Sequence, residues 1–300
     1  MLSAAAAHCQ VISSLTDTVT MPAQAADGII SDIEDGQLQD QFLDWSNTLG
    51  DFSDIATVTQ QELLRRMEAK DVKKSSGKTV EYNGRRLNLP SAIDENGIDL
   101  YMLTDEGITI YMALLAPVFW QETDEDIKKW IRFYAWDNRS RTEKMFKRYF
   151  KWEDYIKGVF KKHGVPQEIA ELCLVESACT YTARSKAGAV GMWQIMPATA
   201  RQWGLTVSLD RDERTDPIRS TETAARILKN NHAMNRNWTM CIAGYNCGMG
   251  RIKKATSSKG SSDWPAVRPA LPKETQQYIP SLLAIHYVWQ YREKLGFDIH

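Results

Sequence analysis

No lysine or arginine occurs before Arg65. The same stretch holds ten acids, Asp17, Asp27, Asp32, Glu34, Asp35, Asp40, Asp44, Asp51, Asp54 and Glu62. It therefore cannot be a basic nucleic-acid arm, and it lacks the basic start of an export signal. From Arg65 to His300 the chain carries 37 basic and 28 acidic residues, a net of +9 inside an overall charge of −1. Such a body is either an ordinary solvated surface beside an acidic tail or a face for an anionic polymer. No apolar run approaches the length of about 18 residues that a transmembrane helix needs.

Cysteine is scarce and poorly spaced for chemistry. Cys9, Cys173, Cys179, Cys241 and Cys247 form no CxxC pair, which excludes a zinc or thioredoxin-type motif. Cys173 and Cys179 fall on one expected helix, six positions apart, a spacing that keeps them from meeting. They read as small buried apolar residues. The opening "MLSAAAAHCQVISS" is apolar, and Ala23-Gln24-Ala25 fits an A-x-A cleavage site. Yet Asp17 interrupts the apolar stretch, and His8 stands where a lipid-modified cysteine wants a small residue. The expectation is a degenerate or truncated export signal, with membrane anchoring through a lost or unrecognised signal left open.

What the chain does have is aromatic side chains and helical periodicity. Ten Trp and eleven Tyr are a high aromatic load, suited to cores and to stacking on flat ligands. Residues 1–78 are polar and acidic and read as a leader and linker, with a short amphipathic helix around Gln60–Lys70. "DVKKSSGKTVEYNGRR", Asp71 to Arg86, reads as linker with a turn at Asn83-Gly84. Residues 79–126 form an accessory segment, and an apolar stretch in it breaks at Pro117. From Asp99 onward the pattern is helical, with Ile127, Trp130, Ile131 and Tyr134 on one stripe. No convincing strand appears in this half and no internal repeat stands out, so the fold class expected is all-α.

"VPQEIAELCLVESACTY" reads as a helix entered at Pro166. Ile169, Leu172, Cys173 and Glu176 share one stripe, which puts a carboxylate among apolar groups near a helix C-terminus. Burial and the helix dipole both disfavour its charge. Two readings follow: a buried Glu paired with an Arg, or an acid held protonated so that it can donate its proton. Further along, Gln194, Tyr245, Asn246 and Tyr278 offer amides and phenols, the partners of sugar hydroxyl and acetamido groups. Trp193 and Met196 are either ring-stacking groups or plain core. Ser220 or Thr221 is expected to cap the helix that follows, and Pro280 to kink the last one.

These residues stand in a recognisable order. The Glu-Ser pair Glu176-Ser177, "SKAGAVGMWQIMP" (Ser185 to Pro197), "DERTDPIRST" (Asp212 to Thr221), "AGYNCGMGRI" (Ala243 to Ile252) and "LPKETQQYIP" (Leu271 to Pro280) follow one another. Together they resemble the lytic murein transglycosylases with a goose-lysozyme-like catalytic domain, closest to the membrane-bound D branch. The Trp-Gln pair at 193 and 194 is the form of that branch, and "AGYNCGMGRI" matches its Ala-Tyr-Asn-x-Gly motif with a Gly for the usual second Ala. The resemblance runs from about Ile127 to Leu295.

The resemblance implies a lysozyme-like domain over 127–300. It implies cleavage of the β-1,4 bond between N-acetylmuramic acid and N-acetylglucosamine in peptidoglycan, leaving 1,6-anhydro ends. It makes Glu176 the general acid and then the base, with Ser185, Gln194, Met196, Tyr245, Asn246, Glu274 and Tyr278 binding substrate. Ser177 and Trp193 would support them. Neither metal nor cofactor is implied. The partner is the glycan strand of peptidoglycan, and the place is the periplasm or outer membrane of a Gram-negative bacterium. Asp212, Glu213 and Asp216 read as loop and cap residues, so no second catalytic acid is expected in the motif set. The D branch often carries LysM repeats. None occurs in these residues, so wall targeting would fall to the +9 body, to residues 1–126 or to a partner. A hydrolytic muramidase on the same fold, or a non-catalytic wall-binding protein, are the alternatives. No nucleic-acid recognition motif accompanies the charge.

Overall fold

The computed structural model describes residues 58–299, apart from 83, 120 and 121. The acidic stretch up to residue 57, with the candidate signal and Cys9, lies outside the described residues.

The accessory segment begins with helix α1 (Gln60–Met67). The Thr59 hydroxyl caps it by accepting the Glu62 amide. Strands β1 (Lys73–Ser75), β2 (Thr79–Tyr82), β3 (Arg85–Asn88) and β4 (Ser91–Ile93) follow. They form two antiparallel pairs, β1 with β4 and β2 with β3. The linker expected at 71–86 is thus ordered ribbon. Its signal is faint but physical: Val80 and Leu87 pair across β2 and β3 and lean on the core, while Thr79, Glu81, Arg86 and Asn88 alternate outward.

The rest is helical. Helix α2 (Asp105–Leu115) is capped by Thr104 and closed by Ala116, which takes left-handed backbone just before Pro117. Helix α3 (Glu125–Arg132) runs through a π-turn, Phe133–Asp137, into α4 (Arg139–His163). The stripe expected of Ile127, Trp130, Ile131 and Tyr134 is buried. Helix α4 buries Met145, Phe146, Tyr149, Trp152, Tyr155, Ile156, Val159 and Phe160, a 3–4 spacing, and stops at Gly164 with φ 68°. Then come α5 (Leu172–Ser177), α6 (Pro197–Gln202), α7 (Pro217–Asn235), α8 (Trp238–Cys247), α9 (Met249–Lys259), α10 (Trp264–Val267) and α11 (Lys273–Gln290).

Helix α11 is the centre of the molecule. It is buried continuously from Tyr278 to Trp289, passes through Pro280, and packs on α3, α5 and α8. One hydrophobic core joins residues from Val58 to Ile299. The packing therefore crosses residue 127, where the resemblance starts. Tyr287 donates to the Met102 carbonyl (2.8 Å) and Tyr291 to that of Tyr111 (3.1 Å), which fastens the accessory segment onto α11. No helix among the described residues is long and apolar enough to cross a membrane.

Two local expectations change. The cap of α7 is Asp216, not Ser220 or Thr221. Its carboxylate accepts the amides of Ile218 (2.9 Å) and Arg219 (3.1 Å), and Pro217 sets the first turn. Ser220 and Thr221 lie inside the helix and donate back to the carbonyls of Asp216 and Pro217. The long helix expected from Pro166 is also shorter: a 3₁₀ turn over Gln167–Ile169 precedes the six-residue α5.

Candidate active site

Helix α5 ends abruptly. Ala178 and Cys179 both take left-handed backbone, φ 54° and 60°, without being glycine. Their amides return to the carbonyls of Leu174 and Cys173, each at 2.9 Å. Arg148 of α4 donates to the Ala178 carbonyl (3.0 Å) and holds the reversal in place. The reversal corrects the expectation about the cysteines. It folds Cys179 back toward Cys173, whose thiol donates to the Ala170 carbonyl (3.4 Å), while both stay buried and unbridged, as small apolar residues do.

Glu176 sits on the last turn of α5, just before this reversal. It is half-buried, so its carboxyl keeps a face toward solvent while protein surrounds the rest. Desolvation pushes its pKa up from 4.5 to about 8; the Tyr278 hydroxyl, which donates to Oε1, pulls it down, and the charge of Glu274 pushes it up. Among the described residues no Arg or Lys pairs with it, which does not support the ion-pair reading. The side chain is an acid that stays largely protonated near neutral pH.

Tyr278 and Glu274 sit one turn apart on α11, as their spacing predicts. Glu274 is exposed and accepts from Asn246 Nδ2 (3.1 Å). The Thr275 hydroxyl donates to Asn246 Oδ1 (2.7 Å). Asn246 is thus held at both ends of its amide by α11, a role for Thr275 that the sequence reading missed. The signal was only its place beside Glu274 in "KETQQY".

The opposite wall is the loop between Thr182 and Ile195. Its backbone carbonyls are held from several sides. Ser177 donates to the Met192 carbonyl (2.8 Å), and Tyr245 donates to that of Trp193 (2.8 Å). Gln194 has φ 45° and turns its amide onto the Gly191 carbonyl (2.8 Å). The Ser185 hydroxyl accepts the Ala189 amide (2.9 Å) and closes the turn there. Trp193 is core. It is 0% exposed, tilts against Phe160 and donates its indole N–H to Thr221 (2.8 Å). Met196, by contrast, is 43% exposed. It borders a groove of about 300 Å³ that also takes in Gln194, Trp203, Asn230, Met234 and Tyr245.

The structure therefore brings Glu176, Tyr278, Glu274 and Asn246 together on one side. Ser177 and Tyr245 tie that side to the loop, whose outer face carries Gln194 and Met196. Ser185 lies in the loop, and its hydroxyl is committed to the turn. Asp212, Glu213 and Asp216 are loop and cap groups. Asp212 is locked to Arg214 (2.8 Å), Glu213 accepts the Thr206 amide (2.8 Å), and Asp216 caps α7.

Residues 155–265 match the Transglycosylase SLT domain family. The chain is 35% identical over 148 residues to membrane-bound lytic murein transglycosylase D of Escherichia coli K12, which covers 47% of this chain and 32% of that one. It thus spans about a third of the length of that curated relative. Among solved structures, the inactive mutant of the lytic transglycosylase Slt from Pseudomonas aeruginosa aligns with a TM-score of 0.43 at 23% identity, covering 56% of this chain and 28% of that one. The 70 kDa soluble lytic transglycosylase of Escherichia coli aligns at 0.41 and 17%, covering 79% and 44%. Glu176, Ser185, Gln194, Met196, Tyr245 and Asn246 all lie within the matched residues 155–265, while Glu274 and Tyr278 lie beyond them.

Proposed function

We propose that this chain is a peptidoglycan lytic transglycosylase. It cuts the β-1,4 bond from N-acetylmuramic acid to N-acetylglucosamine and leaves a 1,6-anhydro end. The observation that carries the reading is Glu176, a half-buried carboxyl with a pKa near 8 and a phenol on one oxygen. Because Tyr278 occupies Oε1, the transferable proton sits on Oε2. Glu176 gives that proton to the bridging oxygen as the bond breaks. The charge that develops at C1 is met by the sugar's own acetamido group. Glu176, now ionised, takes the proton of the C6 hydroxyl as that oxygen closes on C1. One carboxyl serves both steps. Asn246, Gln194, Tyr245 and Met196 position the sugars, and Glu274 favours the protonated acid. The relative's printed name, membrane-bound and murein-directed, supports action at the cell envelope, in the periplasm or at the outer membrane of a Gram-negative bacterium.

The test is digestion of purified sacculi with a count of new reducing ends. Soluble muropeptides without matching reducing ends are the expected outcome. One observation favours hydrolysis instead: Glu274 lies near enough for its charge to act on Glu176 and could serve a water. A new reducing end for each cut would establish that second reading, and intact sacculi would defeat both.

Tyr278→Phe provides a separate check. The phenol lowers the Glu176 pKa, so its loss lets that pKa rise above about 8. The alkaline limb of the pH–rate profile, set by loss of the acid's proton, then moves to higher pH while the peak rate falls. An unmoved limb contradicts the assignment of that limb to Glu176.

A further inference from the structure

The loop that walls the cleft is gripped from behind by a side chain that takes no part in the chemistry described above. Arg214 is 4% exposed. Its Nη1 donates to the carbonyls of Gly188 (2.9 Å) and Ile195 (3.0 Å), near the two ends of the loop's tip. Its Nε and Nη2 donate to the two oxygens of Asp212, both at 2.8 Å. The fork is planar and bidentate, so Asp212 fixes the plane of the guanidinium and thereby the direction of Nη1. The Asp212 carboxyl is held well on the ionised side by this contact.

The backbone of Arg214 closes on the same loop from the other direction. Gly191 has φ 86°, and a Cβ placed there would lie 1.9 Å from the Arg214 carbonyl oxygen. The loop at Gly191 therefore lies flat on Arg214, and only glycine fits. Ser177 and Tyr245 hold the carbonyls of Met192 and Trp193 between these points. Gln194 and Met196, which line the groove, flank the Ile195 carbonyl that Arg214 holds.

We infer that the Asp212–Arg214 fork is a positioning device for the glycan-binding wall: it sets where Gln194 and Met196 stand relative to Glu176 and so governs how well sugar is held. The inference rests on the proposed function, whose substrate is the glycan. A lysine at 214 keeps the charge but has no fork. It cannot hold Asp212 with two parallel bonds and still span Gly188 and Ile195.

The test uses Arg214→Lys and Asp212→Asn in the full chain, with release of muropeptides from purified sacculi as the assay. Circular dichroism and a cooperative unfolding transition verify that each variant is folded. KM should rise about tenfold in Arg214→Lys, equivalent to about 1.4 kcal/mol of lost binding. The alkaline limb of the pH profile should stay where the parent has it, because Glu176 and Tyr278 are untouched, and kcat should change less than KM. Asp212→Asn keeps one oxygen and should fall between the two. A folded Arg214→Lys variant with the parent's KM overturns the inference. So does a shift of the pH limb, which would show damage spreading to Glu176. If Arg214→Lys does not fold, Asp212→Asn decides alone by the same KM criterion. A parent that releases no muropeptides contradicts the proposed function instead, and that outcome is read before any variant is made.

Discussion

Glu176→Gln should abolish turnover and at the same time make the protein more stable at alkaline pH. The rate falls because the amide can neither give nor take the proton, and a positioned acid-base group contributes roughly 10²–10⁴-fold. A single group serving both steps belongs at the upper end of that range, on the order of 10⁴-fold. Glycan binding should survive, since the amide is nearly isosteric and still accepts the Tyr278 hydroxyl.

The gain in stability has a separate origin. In the folded chain Glu176 holds its proton up to about pH 8, against an ordinary value of 4.5. Between those values the folded state binds a proton that the unfolded state has released. Stability therefore falls as pH rises through this window, at up to about 1.4 kcal/mol per unit for this one group. Glutamine carries no such penalty. Parent and variant should be nearly equal below pH 4.5 and should diverge by a few kcal/mol above about pH 8. Denaturant unfolding at the two ends of the range measures this. A variant no more stable than the parent at the alkaline end contradicts the placement of Glu176 as a desolvated acid. A variant that still digests sacculi at the parent's rate contradicts its role.

His286→Leu should cost about 2–3 kcal/mol of stability, because it takes away the polar group that faces a fully buried carboxyl oxygen. Glu171 is 0% exposed and lies just ahead of α5. Its Oε2 faces His286 Nδ1 of α11 at 3.5 Å, and neither atom makes a hydrogen bond among the described residues. Among the described residues only the Gln290 side-chain amide donates to the carboxyl, at 3.3 Å to Oε1. Removing the imidazole leaves Glu171 Oε2 facing only apolar atoms at that side, and a buried polar atom without a partner is costly. The double variant Glu171→Leu/His286→Leu should recover most of the loss, since an apolar pair pays no desolvation. Chemical denaturation at neutral pH measures the cycle. A single variant within about 1 kcal/mol of the parent contradicts the view of these two groups as a coupled pair. Because the pair joins the segment before α5 to α11, it also ties the helix of Glu176 to the helix of Tyr278.

The sequence made some of this visible and hid the rest for physical reasons. Glu176 stood out because an acid in an apolar stripe at a helix end is expensive, and its surroundings in the fold are the ones that stripe implies. The spacing of Glu274 and Tyr278 on one helix face was equally readable, as periodicity is local. Trp193 could not be assigned from sequence, because an indole serves a core or a sugar equally well; the fold puts it in the core. The Glu171–His286 pair was invisible, since 115 positions separate partners that only tertiary packing joins. The meeting of Cys173 and Cys179 depends on two left-handed residues that are not glycine, a conformation that no propensity would suggest. Arg214 gave no signal of its own, because the Gly188 carbonyl it grips lies 26 positions away and only the fold brings the two together. The ribbons at 73–93 are short and mostly exposed, so their alternation was too brief to separate from a linker.

The central claim is that the attacking oxygen comes from the substrate and not from water. Digestion of sacculi in heavy-oxygen water, followed by mass spectrometry of the released muropeptides, tests it directly. The account predicts products one water lighter than hydrolytic ones, with no heavy oxygen at the newly formed muramic end. Products that carry one heavy oxygen at each new end would contradict it and would make Glu176 the acid of a hydrolase.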